Sequence, residues 1–177
     1  GRVVSARELS IPSKAHGAMQ KGLERLYEKN DYKGSLTHFQ RAVTELPAYY
    51  EAYHQMGVAH MRLGQVAEAE QSLRKSIEVS ENRYPVAHIQ LAALLSNNQR
   101  FAEAEPLARR GLELGGDLGY GHFELARALL GLNQVDAAEK SAVEARTQKP
   151  ELAQLHLVLA NIHMRKRNYP ALLLDID

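Results

Sequence analysis

The sequence predicts an all-α fold in which successive pairs of antiparallel helices stack on one another. Apolar residues recur with helical spacing over most of the 177 residues. Short turns interrupt this spacing, and the whole pattern returns about every 34 residues. The stretch from Tyr53 to Ala69 shows it best, since the large–small pair Met56-Gly57 is followed by a turn at Gly64 and a second apolar-periodic run.

Composition narrows the classes of function. Hydrophobic residues make up 45% and charged residues 24% of the chain, as in a globular protein with its own core. The formal net charge is +1, so no overall field attracts nucleic acid or an anionic membrane surface. There is no cysteine, which excludes disulfides and thiolate chemistry. No apolar run approaches the roughly 20 residues of a membrane-spanning helix. We therefore expect no nucleic acid and no membrane as partners, whereas the compartment stays open.

Residues that favour the start or the end of a helix set the predicted boundaries of the helices. Residues 1–12 are predicted to be a leader, either an extended linker or a disordered segment. Ser13 is predicted to cap the first helix, and Pro47 ends the second because proline cannot continue a helix. The predicted helices span residues 13–29, 32–46, 48–62, 66–80, 85–96, 101–114, 118–130, 135–147 and 151–166.

These helices pair into a repeat domain over residues 13–177. It has four full repeats, at about 16–49, 50–84, 85–118 and 119–152, and a truncated fifth at 153–177. The residue that opens the second helix of each repeat advances in steps of 34, 35, 34 and 34; it is Tyr32, Val66, Phe101, Val135 and Tyr169. The longer step places one inserted residue near Arg83.

A large–small pair marks the first helix of most repeats. It reads Met56-Gly57, Leu91-Ala92, Leu125-Ala126 and Leu159-Ala160, and it is inverted as Gly22-Leu23. With this pair and its spacing, the chain resembles the tetratricopeptide repeat family over residues 13–177. The resemblance implies an α-solenoid, a right-handed superhelix whose concave groove is lined by the first helices. It also implies a non-catalytic protein-interaction module.

No metal, cofactor or catalytic constellation stands out, so no enzyme activity is expected. His88, His122 and His156 recur once per repeat, too far apart to share one ion. They are predicted to be buried packing residues. Gly115 is predicted to end a helix, and Asp117 to cap the next. The basic cluster at residues 165–167 is predicted to be a solvated helix end.

The resemblance places candidate partner-binding residues along the groove. They are His54, Val58, Met61, Ile89, Tyr120, Phe123, Arg127, Leu157, Asn161 and Met164. Some family members hold an acidic peptide terminus with a clamp of Lys, Asn and Arg, which this chain lacks; those places hold Gln20, Glu24, Gln55, Val86 and Gln90. Tyr120 and Phe123 are expected to be amphipathic anchors. Arg127 and Asn161 are expected to orient a peptide backbone or a carboxylate. The alternative left open is that part of the set packs against neighbouring helices.

The function predicted from these features is docking of a partner's peptide segment in the groove. The alternative is a structural or self-association role within a larger protein. It would involve a weak homo-oligomer through apolar residues of the truncated repeat, namely Leu172, Leu173, Leu174 and Ile176. An RNA-binding helical repeat is disfavoured by the near-zero net charge. The sequence leaves the identity of the partner open.

Overall fold

The computed structural model describes residues 10–166, and this part of the chain is helical without any β-strand. Within these residues every predicted helix is present, with ends within two residues of the predicted ones. The helices are α1 (Ser13–Leu23), which continues as a π-helical turn (Glu24–Glu28), α2 (Tyr32–Glu45), α3 (Tyr50–Arg62), α4 (Val66–Val79), α5 (Pro85–Asn97), α6 (Phe101–Glu113), α7 (Leu118–Gly131), α8 (Val135–Gln148) and α9 (Ala153–Arg165). The predicted all-α fold of helix pairs is confirmed. The predicted second helix of the fifth repeat lies outside the described residues.

The chain divides into two compact units, residues 1–83 and 84–177. In the first unit, α1 packs on α2, α2 on α3 and α3 on α4. In the second unit each helix again packs on the next one, and α7 also contacts α5 and α9. Packing of each helix against helices one or two places away in the chain is the pattern of a helical-repeat solenoid. The division between the units falls near Arg83, where the spacing of the repeat is 35 residues instead of 34.

The core of the first unit begins slightly earlier than predicted. Ile11 packs against a cluster that includes Ala15, Met19 and Phe39, so the leader predicted to end at residue 12 already contributes to packing at that position. Ser13 is not a cap, because Pro12 occupies the N-cap position and no side chain bonds to the first turn.

Two aspartates hold helix starts as side-chain caps. Asp31 accepts a hydrogen bond from the Gly34 backbone N–H at 2.8 Å, and Asp117 accepts one from the Tyr120 backbone N–H at 2.9 Å. Gly115 ends α6 with a φ of 76°, in the left-handed region that favours glycine. The predicted Gly115 stop and Asp117 cap are therefore confirmed.

Close approach of α3 and α4 explains the large–small pair. A Cβ added to Gly57 would lie 2.7 Å from Cγ and 2.8 Å from Cδ2 of Leu73, which is itself fully buried. Gly22 stands in the same relation to the buried ring of Phe39. The glycine on the first helix thus makes room for a large residue on the second helix. Close packing therefore requires a small residue at the glycine position.

We expect Gly57→Ala to destabilise the protein by about 1–3 kcal/mol, because the added methyl overpacks a filled core around Leu73. Gly17→Ala is the control: a Cβ there meets nothing within 4 Å, and alanine favours the helix by about 0.5–1 kcal/mol. Urea unfolding followed by circular dichroism measures both variants. Equal effects of the two substitutions would contradict the close-approach explanation.

Candidate functional site

Three of the ten predicted groove residues are buried, so the prediction that they face a partner is wrong. His54, Ile89 and Phe123 expose only 6%, 7% and 6% of their surface. Ile89 fills space that glycine leaves open, since a Cβ on Gly116 would lie 2.7 Å from its Cδ1. Helical periodicity predicts which way a side chain points but not how far the next helix covers it. These residues belong to the core.

His54 is buried on α3 of the first unit. Burial lowers the pKa of its imidazole to about 4, so the ring is neutral at pH 7. Val58, a half-buried residue one turn further along α3, packs against the core cluster of the same unit. Met61 is also half-buried. The first unit therefore presents fewer candidate groove residues than the sequence predicted.

The remaining predicted residues lie on α7 and α9 of the second unit. Tyr120, Leu157 and Met164 expose 45%, 69% and 52% of their surface, which is high for large apolar side chains. Because α7 contacts both α5 and α9, the first helices of three successive pairs lie side by side. We call this the α5–α7–α9 face, and define it by Val86, Tyr120, Arg127, Leu157, Asn161 and Met164.

The ring of Tyr120 is held at one end of this face. The Lys149 ammonium lies 4.1 Å from the ring centre, within the range of a cation–π contact. Lys149 also forms an ion pair with Asp117 at 2.8 Å. The tyrosine therefore has a defined position while almost half of its surface stays accessible.

Arg127 lies at the centre of a polar cluster that joins α7 to α5. Its Nη1 donates to both carboxylate oxygens of Glu124, at 2.9 and 3.1 Å. Its Nη2 donates to Asn97 Oδ1 at 2.6 Å. The guanidinium carbon lies 5.5 Å from the centre of the Phe123 ring. The arginine is thereby fixed in one orientation.

Glu124 is the functional candidate that sequence reasoning missed. Its side chain exposes only 6%, against 24% for Arg127. Burial raises the pKa of the Glu124 carboxyl to about 7, although the neighbouring guanidinium opposes the rise. A lone glutamate three residues before an arginine looks in the sequence like an ordinary exposed helix pair. Only the helices packed around it show that it is buried.

The polar and basic residues at the end of α9 bond within that helix and to α7 and α8. Asn161 Nδ2 donates to the Leu157 carbonyl at 3.0 Å. Arg165 donates to the Leu130 carbonyl at 2.7 Å, and Lys166 forms ion pairs with Asp136 and Glu139 at 2.9 and 2.6 Å. Arg165 and Lys166 were predicted to be a solvated helix end, and both are exposed. Their bonds also connect the end of α9 to α7 and α8.

The histidine column is only partly buried. His88 exposes 2% and its Nδ1 lies 2.9 Å from the Tyr84 carbonyl oxygen. Burial lowers the pKa of His88, while the bond to that carbonyl opposes the shift. His122 is half-buried and His156 is exposed, so the prediction of burial is wrong for His156. Within residues 10–166, no three His, Cys, Asp or Glu side chains are grouped to hold a metal ion.

The first unit has a hollow that sequence reasoning did not single out. Its volume is about 580 Å³, and its lining includes Gln40 of α2, Tyr53, Met56 and His60 of α3 and Ser72 of α4. Tyr53 and Met56 are partly buried and pack against the core cluster of the first unit, and both also line the hollow.

This arrangement of stacked helix pairs with exposed apolar side chains on the first helices defines a helical-repeat protein of the interaction-module class. Two family models, both described as tetratricopeptide repeat, match residues 26–82 and 123–171. The chain belongs to the tetratricopeptide repeat family. Proteins of this family generally bind other proteins or peptides, and their fold is generally non-catalytic.

Curated relatives match over part of their length. The chain is 32% identical over 96 residues to the human protein O-mannosyl-transferase TMTC2, covering 52% of the chain and 11% of that protein. It is 22% identical over 140 residues to anaphase-promoting complex subunit 3 of Schizosaccharomyces pombe, covering 78% and 21%. The chain therefore spans about a tenth to a fifth of the length of these relatives.

Solved structures share the fold at low sequence identity. MamA from Desulfovibrio magneticus RS-1 superposes with a TM-score of 0.81 at 18% identity, covering 94% of this chain and 93% of MamA. PilF from Pseudomonas aeruginosa gives 0.80 at 14% identity, covering 92% and 73%. YrrB, described as a TPR protein with an unusual peptide-binding site, gives 0.74 at 18% identity, covering 92% and 83%. These likenesses support the helical-repeat fold.

None of the helices among residues 10–166 has the length and apolar character that a membrane crossing requires.

We expect His54 to make the first unit acid-sensitive. Its folded pKa of about 4 lies below the usual 6.5, so the unfolded chain binds a proton that the folded chain resists, and stability is lost as pH falls from about 6.5 to 4. The loss amounts to about 3 kcal/mol when each pKa unit counts about 1.4 kcal/mol. Urea unfolding of wild type and His54→Gln at pH 7 and pH 4.5 measures it.

The His54→Gln variant should show a smaller loss than wild type over this range. His156→Gln, the same substitution at an exposed position, is the matched control and should keep the wild-type dependence on pH. Identical pH dependence in all three proteins would show that His54 is not held neutral by burial.

Proposed function

We propose that the chain is a non-catalytic module that binds a peptide segment of a partner protein on its α5–α7–α9 face. The supporting observation is the exposure of Tyr120, Leu157 and Met164 on the first helices of neighbouring pairs. Exposed apolar side chains that cluster on one face are typical of interaction sites. Single exposed residues scattered over the surface would not support the proposal.

The face combines apolar anchors with fixed polar groups. Large side chains with little conformational freedom, such as Tyr120 under Lys149, make suitable binding anchors because little entropy is lost when a partner covers them. Arg127, held by Glu124 and Asn97, adds a positioned donor beside them. An apolar strip with a few oriented donors suits an extended or helical peptide.

The predicted self-association through Leu172, Leu173, Leu174 and Ile176 concerns residues outside the described part of the chain. It remains a prediction, as does the identity of the partner. The hollow between α2, α3 and α4 in the first unit is a second concave surface, but its mixture of charges, including Arg74, Lys75 and Glu78, favours no particular occupant.

We expect selection from a library of phage-displayed 12-residue peptides to yield binders whose affinity depends on Leu157. Leu157→Ala should weaken binding by at least about tenfold, as hot-spot truncations of about 1.4 kcal/mol or more do, and should leave the melting temperature nearly unchanged. Fluorescence anisotropy with synthetic copies of the selected peptides measures the affinity.

Leu155→Ala is the matched control on the same helix. Leu155 exposes only 2% of its surface, so this variant should lose about 2–5 kcal/mol of stability. Phe123→Ala should behave like Leu155→Ala, since its ring is buried. Selected peptides that bind Leu157→Ala and Tyr120→Ala as tightly as wild type would show that the face is not the binding site.

A further inference from the structure

The two members of the ion pair between Arg127 and Glu124 differ in their exposure to solvent. The carboxylate of Glu124 is almost fully covered, whereas a quarter of the Arg127 side chain is exposed. A group arriving from solvent therefore meets the guanidinium and not the carboxylate. A cationic partner side chain cannot reach Glu124, while an anionic one can reach Arg127.

Arg127 keeps donors for such a group. A guanidinium has five N–H donors in a planar fork. Two bonds of Nη1 to Glu124 and one of Nη2 to Asn97 account for three of them among the described residues. The Nε–H and the second Nη2–H remain. A carboxylate is the group that guanidinium donors bind best.

We propose that Arg127 receives the side-chain carboxylate of an Asp or Glu in the bound peptide, and that Glu124 takes up a proton from solvent as this carboxylate binds. The proposal rests on the peptide-binding function of the face. The peptide class it defines is an apolar segment with one acidic residue beside the apolar anchors.

The proton uptake follows from electrostatics. Two carboxylates that share one guanidinium repel each other, and the buried one is the costlier of the two to keep charged. The bound peptide therefore favours the protonated form of Glu124. Burial has already brought the pKa of Glu124 to about 7, so this protonation occurs near neutral pH. By linkage, the peptide binds more tightly as pH falls from 8 to 6.

Among the described residues of the second unit, no other charged group than Arg127 is found to shift the pKa of Glu124. Asn97, the neighbour from α5, is neutral. On α6, Arg110 acts on His88. On α8, Glu139 is paired with His163 of α9 and with Lys166, which follows α9.

The test uses two synthetic peptides with amidated C-termini, so that no terminal carboxylate competes. One is a peptide selected on the whole chain that contains a Glu or Asp, and the other replaces this residue by Gln or Asn. Calorimetry at pH 6 and pH 8 gives the affinities. Repetition at pH 7 in buffers of different ionisation enthalpy gives the number of protons taken up.

We expect the acidic peptide to bind wild type about fivefold more tightly at pH 6 than at pH 8, the change that linkage gives when binding raises the pKa of Glu124 by about one unit from about 7. The amide peptide should show little change. Glu124→Gln imitates the protonated carboxyl, so it should bind the acidic peptide at pH 8 as tightly as wild type does at pH 6. Arg127→Gln should lose the preference for the acidic peptide.

Glu144→Gln removes an exposed carboxylate from α8 and is the control for a change of net charge; it should keep the wild-type pH profile. A ¹³C NMR titration of the wild-type Glu124 carboxyl, with and without the acidic peptide, tests the same coupling without any variant at position 124. Its pKa should rise when the peptide is bound.

Equal binding of the acidic and amide peptides, or a wild-type pH profile in Glu124→Gln, would overturn this inference and leave the peptide-binding proposal intact. An unchanged Glu124 titration on peptide binding would do the same. If every selected peptide binds Leu157→Ala as tightly as wild type, the peptide-binding proposal and the inference both fail.

Discussion

The close approach of the two helices in a pair is the constraint on which the rest of the structure depends. It requires a small residue wherever a large side chain of the partner helix packs, as at Gly57 against Leu73 and at Gly22 against Phe39. In the second unit, α7 is held by its partner α8 and by the neighbouring helices α5, α6 and α9. The outward side chains of α7 are positioned as a result.

The sequence predicts the fold well because its signals are local. A step of 34 or 35 residues, a stop at Gly115 and a cap at Asp117 each depend on a few neighbouring residues, and helix ends agree with prediction within two residues. The division into two units was not predicted. The sequence shows one inserted residue near Arg83, but an insertion alone does not predict a division into two compact units.

The candidate site was predicted less well, because burial depends on distant residues. Tyr120 and Phe123 lie three residues apart on α7 and look alike in the sequence, yet one is 45% exposed and the other 6%. His88 and His156 occupy the same column of the repeat, and only His88 is covered. Glu124 shows most clearly what the sequence does not predict. Its pKa is raised because surrounding helices remove it from solvent, and helical periodicity does not indicate such burial.

The sizes of the paired residues also distinguish one repeat from another. Phe39 and Leu73 occupy the column that holds Ala108 and Ala142 in the second unit, and all four are fully buried. A helix carrying Phe39 would collide with a partner built around Ala92, while Ala108 set against Gly57 would leave a void. Misfolding by exchange of equivalent helices, a hazard of chains made of similar repeats, is therefore disfavoured by side-chain volume alone.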